Sequence, residues 1–173
     1  NIDDKDNIQG IRPGDNIQLA IKAQNNFDQD DDVDIENVDI VLECSDDGDL
    51  DINDKTIDLG DLGPEDEQED TFDIGVEDDA KDDDVNCDVQ MVGLDQNGAR
   101  HGETLGFTIE IQRESHDIQI KMPILTTPQM ISCSDSSIQL AVSILNLGRS
   151  NEDEVAVEVT STEISFQDRR SNI

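Results

Sequence analysis

An all-β fold is predicted by three observations. Ile17, Leu19 and Ile21 alternate with Gln18, Ala20 and Lys22, and Val38, Ile40 and Leu42 alternate with Asp39, Val41 and Glu43, the period-two pattern of half-buried strands. Turn residues recur at intervals of about 8 to 12 positions between such segments. Helical periodicity is absent throughout. Low hydrophobicity and a formal net charge of −33 are also the signature of disorder. A disordered chain, however, has no reason to keep this alternation through eight or nine segments.

The elements follow in order. An edge segment around Ile8 to Ile11 leads through the Pro13-Gly14-Asp15 turn into the Ile17 strand, the acidic loop "DQDDD" and the Val38 strand. Shorter apolar segments lie around Leu50 to Leu59 and from Thr71 to Val76. Two more, Cys87 to Leu94 and Leu105 to Ile111, flank Asn97-Gly98, a strong hairpin signal. Seven or so short strands with this spacing read as an immunoglobulin-like sandwich spanning 1–114. The core must be aliphatic: the chain has no Trp or Tyr, and its four Phe are Phe27, Phe72, Phe107 and Phe166.

An internal repeat organises the rest. "NIQLAIKAQNNF" from Asn16 recurs as "SIQLAVSILNLG" from Ser137, with Asn25 matched by Asn146. Each copy continues into a charged loop and an alternating strand, "VDIVLE" and then "VAVEVT", so the chain contains a duplicated domain. The second copy, 115–173, opens at "HDIQIKMPIL" and ends after "EISFQ", lacking counterparts of the Phe72, Val89 and Phe107 strands. A sandwich cut there exposes a core face and bare strand edges, which soluble proteins avoid. The missing half comes either from a longer polypeptide or from a neighbouring subunit, as in donor-strand and domain-swapped assembly. The longer polypeptide is the simpler source, because a half-domain needs several donated strands. The strand residues that require covering, and hence the expected assembly interface, are Ile138, Leu140, Val155 and Val157.

The segments "PGDNIQLAIKAQNNF...VDIVLE" and "CSDSSIQLAVSILNLGRSNEDEVAVEV" resemble the CARDB-like immunoglobulin-fold repeats of archaeal and bacterial surface proteins. In that pattern a Pro-Gly turn precedes an alternating strand ending in Asn-x-Gly, and a polar loop leads to a Val-rich strand. Asn146-Leu147-Gly148 keeps the signature, whereas the first copy has Asn25-Asn26-Phe27. The resemblance implies an extracellular, non-enzymatic building block, since family members are mostly stalk, adhesion or cell-envelope modules, and it names no ligand.

Composition narrows the partners. With 44 Asp and Glu against 11 Lys and Arg, the chain cannot neutralise a phosphate backbone, which excludes nucleic acid, and anionic membrane surfaces are disfavoured for the same reason. No stretch approaches the roughly 20 apolar residues that span a bilayer. The first residue, Asn1, is expected to mark a processed product or a fragment. Cys44, Cys87 and Cys133 lack the close spacing of a zinc site. Cys44 closes one apolar alternation and Cys87 opens another, so the pair is placed to bridge the sandwich as a disulfide, the alternative being two buried thiols.

No catalytic motif is present, neither a phosphate loop, a serine elbow nor HExxH. His101 and His116 have no Cys or His at ligand spacing and read as solvated or linker residues. Calcium is the serious candidate chemistry, because it takes 6 to 8 oxygens and the acidic loops are rich in them. Asp28, Asp30 and Asp32 form one candidate set and Asp47, Asp49 and Asp51 the other. The second set departs from the EF-hand rhythm at Ile52 and Asp58, where Gly and Glu are required. Acidic residues also occupy outward strand positions: Asp39, Glu43, Asp73, Asp88, Glu110 and Glu158. That spread favours a salt-adapted, halophilic surface over a specific calcium site, with no cofactor required. The expected function is therefore a non-enzymatic subunit of a cell-surface filament, stalk or envelope layer, polymerising through strand or face packing. The alternative is an adhesion module binding carbohydrate or protein, with calcium as an optional ligand.

Overall fold

The computed structural model describes residues 4–45, 48–127, 139–162 and 165–171. The chain divides into two compact units, Asn1–Gln112 and Arg113–Ile173, the division falling two residues before the expected boundary at residue 114.

Unit 1 is a sandwich of eight strands: β1 (Asp6–Ile11), β2 (Asn16–Gln24), β3 (Ile35–Cys44), β4 (Leu50–Ile52), β5 (Thr56–Leu62), β6 (Glu67–Val76), β7 (Asp83–Asp95) and β8 (Arg100–Ile111). One sheet has the order β1-β8-β7-β3-β5 and the other β2-β6-β4. The apolar segment read as one piece around Leu50 to Leu59 is two strands on opposite sheets: β4 pairs with β6, and β5 with β3. All pairings in the unit are antiparallel except that of β1 with β8, which is parallel.

The alternation places Leu19 and Ala23 of β2 and Phe72, Ile74 and Val76 of β6 opposite Ile40, Leu42, Val85, Val89, Phe107, Ile109 and Ile111 of the larger sheet. Ile40, Leu42 and Ile109 have no exposed surface. Ile35 and Val38 are both buried although three positions apart, which simple alternation forbids. The β3 register shifts between them, and Asn37 takes φ 52° while its N–H donates to Asp61 Oδ1 at 2.9 Å. This irregularity absorbs the extra residue and returns the strand to the core in phase.

The Asn97-Gly98 turn joins β7 to β8 as expected, with Leu94 opposite Arg100. Gly98 has φ +77°, the left-handed conformation that favours glycine in such turns. At Gly102 a Cβ would lie 2.0 Å from the Met91 carbonyl oxygen, so no side chain fits there.

Cys44 and Cys87 form a disulfide, but not the bridge across the sandwich that the alternation suggested. The two residues are register partners on neighbouring strands β3 and β7 of one sheet, with Cα atoms 4.0 Å apart. Ser45 N–H bonds the Asn86 carbonyl at 2.7 Å, so the next pair, Cys44 and Cys87, is the close non-hydrogen-bonded kind whose side chains can meet. The link closes a loop holding β4, β5 and β6.

Among the described residues unit 2 has β9 (Ile118–Thr127), β10 (Gln139–Asn146), β11 (Ala156–Ser161) and β12 (Phe166–Ser171). These make two separate two-stranded antiparallel sheets, β10-β9 and β11-β12.

The disulfide generates a prediction. With a sequence separation of 43, the chain-entropy model assigns it about 4 kcal/mol. Urea titrations of Cys44→Ser/Cys87→Ser are expected to show a loss of that order, and thiol labelling of the unfolded, unreduced wild type should find Cys133 alone. Labelling of all three cysteines before reduction would remove the bridge from the account.

Candidate functional site: acidic loops and unpartnered strands

The first acidic loop is ordered by its backbone. A single 3-10 turn covers Gln29–Asp31, with Asp31 N–H bonded to Asp28 O at 3.0 Å and Asp32 N–H to Gln29 O at 3.4 Å. Asp32 closes the turn at φ 50°, and its carbonyl accepts Gln96 Nε2 at 2.9 Å, which ties the loop to the β7–β8 turn. Asp28, Asp30 and Asp32 are all exposed.

The second candidate set is distributed differently. Asp49 is buried, its carbonyl accepts Glu77 N–H at 2.9 Å, and Lys81 Nζ stands 4.0 Å from its Oδ2. Asp51 is exposed on β4, and Asp47 lies outside the described residues. Among the described residues no group of three or more His, Cys, Asp or Glu side chains is arranged to hold a metal ion. Of the outward carboxylates, Asp73, Asp88, Glu43 and Glu158 are exposed, and Asp39 and Glu110 are half-buried.

Among the described residues Asp95 is the carboxylate whose proton affinity departs clearly from the ordinary. Its Oδ1 accepts Ala99 N–H at 2.9 Å and Asn97 N–H at 2.8 Å, and its Oδ2 lies 3.2 Å from His101 Nε2. The Ala99 amide, then His101, then Asn97 lower its pKa against an opposing push from desolvation, because each donor favours the ionised form. His101 also packs edge-on against Phe27, with centroids 5.4 Å apart. Its sequence neighbours alone make His101 a solvated or linker residue. The structure instead gives it a turn-stabilising partner, six residues away and visible only once β7 and β8 pair.

The repeated asparagine does the same job twice. Asn25 is buried, its Oδ1 accepts Phe27 N–H at 3.1 Å, and its Nδ2 donates to Val33 O at 2.8 Å and Leu62 O at 3.0 Å. In unit 2, Asn146 Oδ1 accepts Gly148 N–H at 3.0 Å and its Nδ2 donates to Ser150 O at 2.9 Å. The duplication read from sequence thus extends to the side-chain bonds that end β2 and β10.

The two units differ in how they treat apolar surface. Among the described residues, Ile118, Ile120, Ile124, Leu140 and Phe166 of unit 2 are 39% to 51% exposed, against Leu94 alone at this level in unit 1. Of the expected interface residues, Leu140 is exposed, Val155 and Val157 are half-buried, and Ile138 lies outside the described residues. Among the described residues no helix is long and apolar enough to cross a membrane. A scan against protein-family models matches none, and no curated protein matches the chain.

Asp95 generates a pH prediction. A carboxylate whose folded pKa is depressed contributes stability above its unfolded value, lost as pH falls through the folded one. Asp95→Asn is therefore expected to be less stable than wild type near neutral pH. The gap should narrow below about pH 4, the unfolded carboxylate range. Paired urea midpoints at pH 7 and pH 3 measure it, and a gap that does not change with pH would refute the assigned cause.

Proposed function

We propose that this chain is a non-enzymatic, extracellular structural protein, a subunit of a cell-surface filament, stalk or envelope layer of CARDB-like immunoglobulin-type modules. One observation carries the reading: unit 2 has only two two-stranded sheets among the described residues and leaves Ile118, Ile120, Ile124, Leu140 and Phe166 largely open to solvent. Apolar surface of that kind, rimmed by polar residues, is characteristic of interaction sites. The strand order of unit 1 supports the immunoglobulin-like part, since two sheets of this composition with a parallel first-to-last pairing suit that family of sandwiches.

The net charge of −33 sets the condition for assembly. Like-charged chains approach each other only when their repulsion is screened, and raising salt from about 0.1 M to about 1 M shortens the Debye length from about 10 Å to about 3 Å.

Electron microscopy and sedimentation of the purified chain across that salt range test the proposal. Ordered polymers at high salt are expected, with sodium and calcium salts equivalent at matched ionic strength. A chain that stays monomeric throughout and instead binds an added glycan or protein would replace the structural reading with the adhesion one. Calcium-dependent assembly at matched ionic strength would move attention to the acidic loops.

A further inference from the structure

Of the twelve described strands, β2, β9 and β10 carry no carboxylate. That is notable in a chain with 44 acidic residues in 173, and among the described residues each of these strands has an open edge.

Among the described residues β2 is the outer strand of its sheet, bonded to β6 on one side alone. Beside that bare edge runs a groove of about 560 Å³ between the sheets, walled by Leu19 and Ile21 on one side and Val89, Met91, Leu105 and Phe107 on the other, with Lys22 and the carboxylate Glu103 also in its lining. The first half of β8 is bare there too, because the register of β1 on β8 begins at Phe107. The opening is therefore flanked by two unpaired strand edges and floored by apolar side chains.

The repeat indicates what fits. In a strand, successive residues direct their backbone groups to opposite edges. Asn25 N–H points to Asp66 beside β6, so Gln18, Ala20 and Lys22 face the open edge. In unit 2, Asn146 corresponds to Asn25, and the following residue, Leu147, sends its N–H to Asp117 at 2.8 Å, next to β9. β9 thus covers on β10 the same edge that β2 leaves bare. Its own outer edge is also unpaired among the described residues. On its regular stretch, Gln119 and Lys121 face β10, so Ile118 and Ile120 direct their backbone groups outward.

We infer that the open edge of β2 accepts the outer edge of β9 from a second copy of this chain, placing Ile118 and Ile120 over the groove. With both apolar faces turned the same way, the hydrogen-bonding phases match for a parallel alignment, which β1 already adopts on β8. The absence of carboxylates from both strands supplies the reason for this pairing, since two chains of charge −33 repel each other least where the paired strands carry no acid and the groove contributes Glu103 beside Lys22. The contact joins different surfaces of the two copies, a heterologous contact, and such contacts propagate into open polymers. It rests on the proposed structural function and specifies its linkage.

Two variants test it. Ala20→Pro removes an N–H that points away from β6 and so blocks addition while sparing the intrachain ladder. Ile120→Asp puts a charge on an exposed donor residue. Each variant, with wild-type circular dichroism, is expected to lose sedimentable polymer at high salt. Mixing them should give a one-to-one dimer, because Ala20→Pro keeps its donor and Ile120→Asp its acceptor. Polymerisation of both variants as in wild type would overturn the linkage while leaving the structural function standing. A wild type that stays monomeric at every salt would overturn both. A mixture that stays monomeric while wild type polymerises would also overturn the linkage.

Discussion

Mutual repulsion among carboxylates is the constraint under which every strand of this chain folds. It reaches into the sheets themselves: Glu43 stands opposite Asp88, Asp39 opposite Asp58 and Asp84 opposite Glu110, and like charges directly opposite each other destabilise a strand pair. The sandwich tolerates them because the same strands bury Ile40, Leu42, Val85, Val89 and Ile109 on their inner faces. Burial at about 25 cal/mol per Å² of apolar surface is short-ranged and insensitive to charge on the far side of the pleat. The Cys44–Cys87 link adjoins the Glu43–Asp88 pair and holds its two strands together covalently.

Where the backbone must turn, the same acidic residues become useful. Asp95 gathers the amides of its own turn, Asp61 holds the irregular residue of β3, and Asp66 accepts the Gly63 amide at 3.1 Å. Short carboxylates are good acceptors for turn amides. Among the described residues no buried polar side-chain atom lacks a partner. An abundance of Asp is thus compatible with precise turns so long as each buried or half-buried oxygen meets a donor.

The contrast between the units ties composition to function. In unit 1, β6 carries four acidic residues on its exposed positions and seals Phe72 and Ile74 inside. In unit 2, β9 and β10 carry none and leave isoleucines open. The exposed strands of unit 1 are protected by carboxylates, a device against edge pairing that β9 and β10 lack.

The all-β character, the repeat and the hairpin at Asn97-Gly98 were legible in the sequence, because alternation, turn chemistry and self-similarity are local properties. What only the tertiary structure decided are relations between distant residues. Cys44 and Cys87 proved to be neighbours in one sheet rather than partners across two, since alternation tells which face a residue occupies but not which strands lie side by side. Ile35 entered the core through a register shift that a strict period of two conceals. Asp28, Asp30 and Asp32 are adjacent in sequence, yet the backbone turn leaves all three exposed. The bare edge of β2 emerged only when β1 was found on β8 instead, because edge status depends on the order of strands in space and no single strand encodes it.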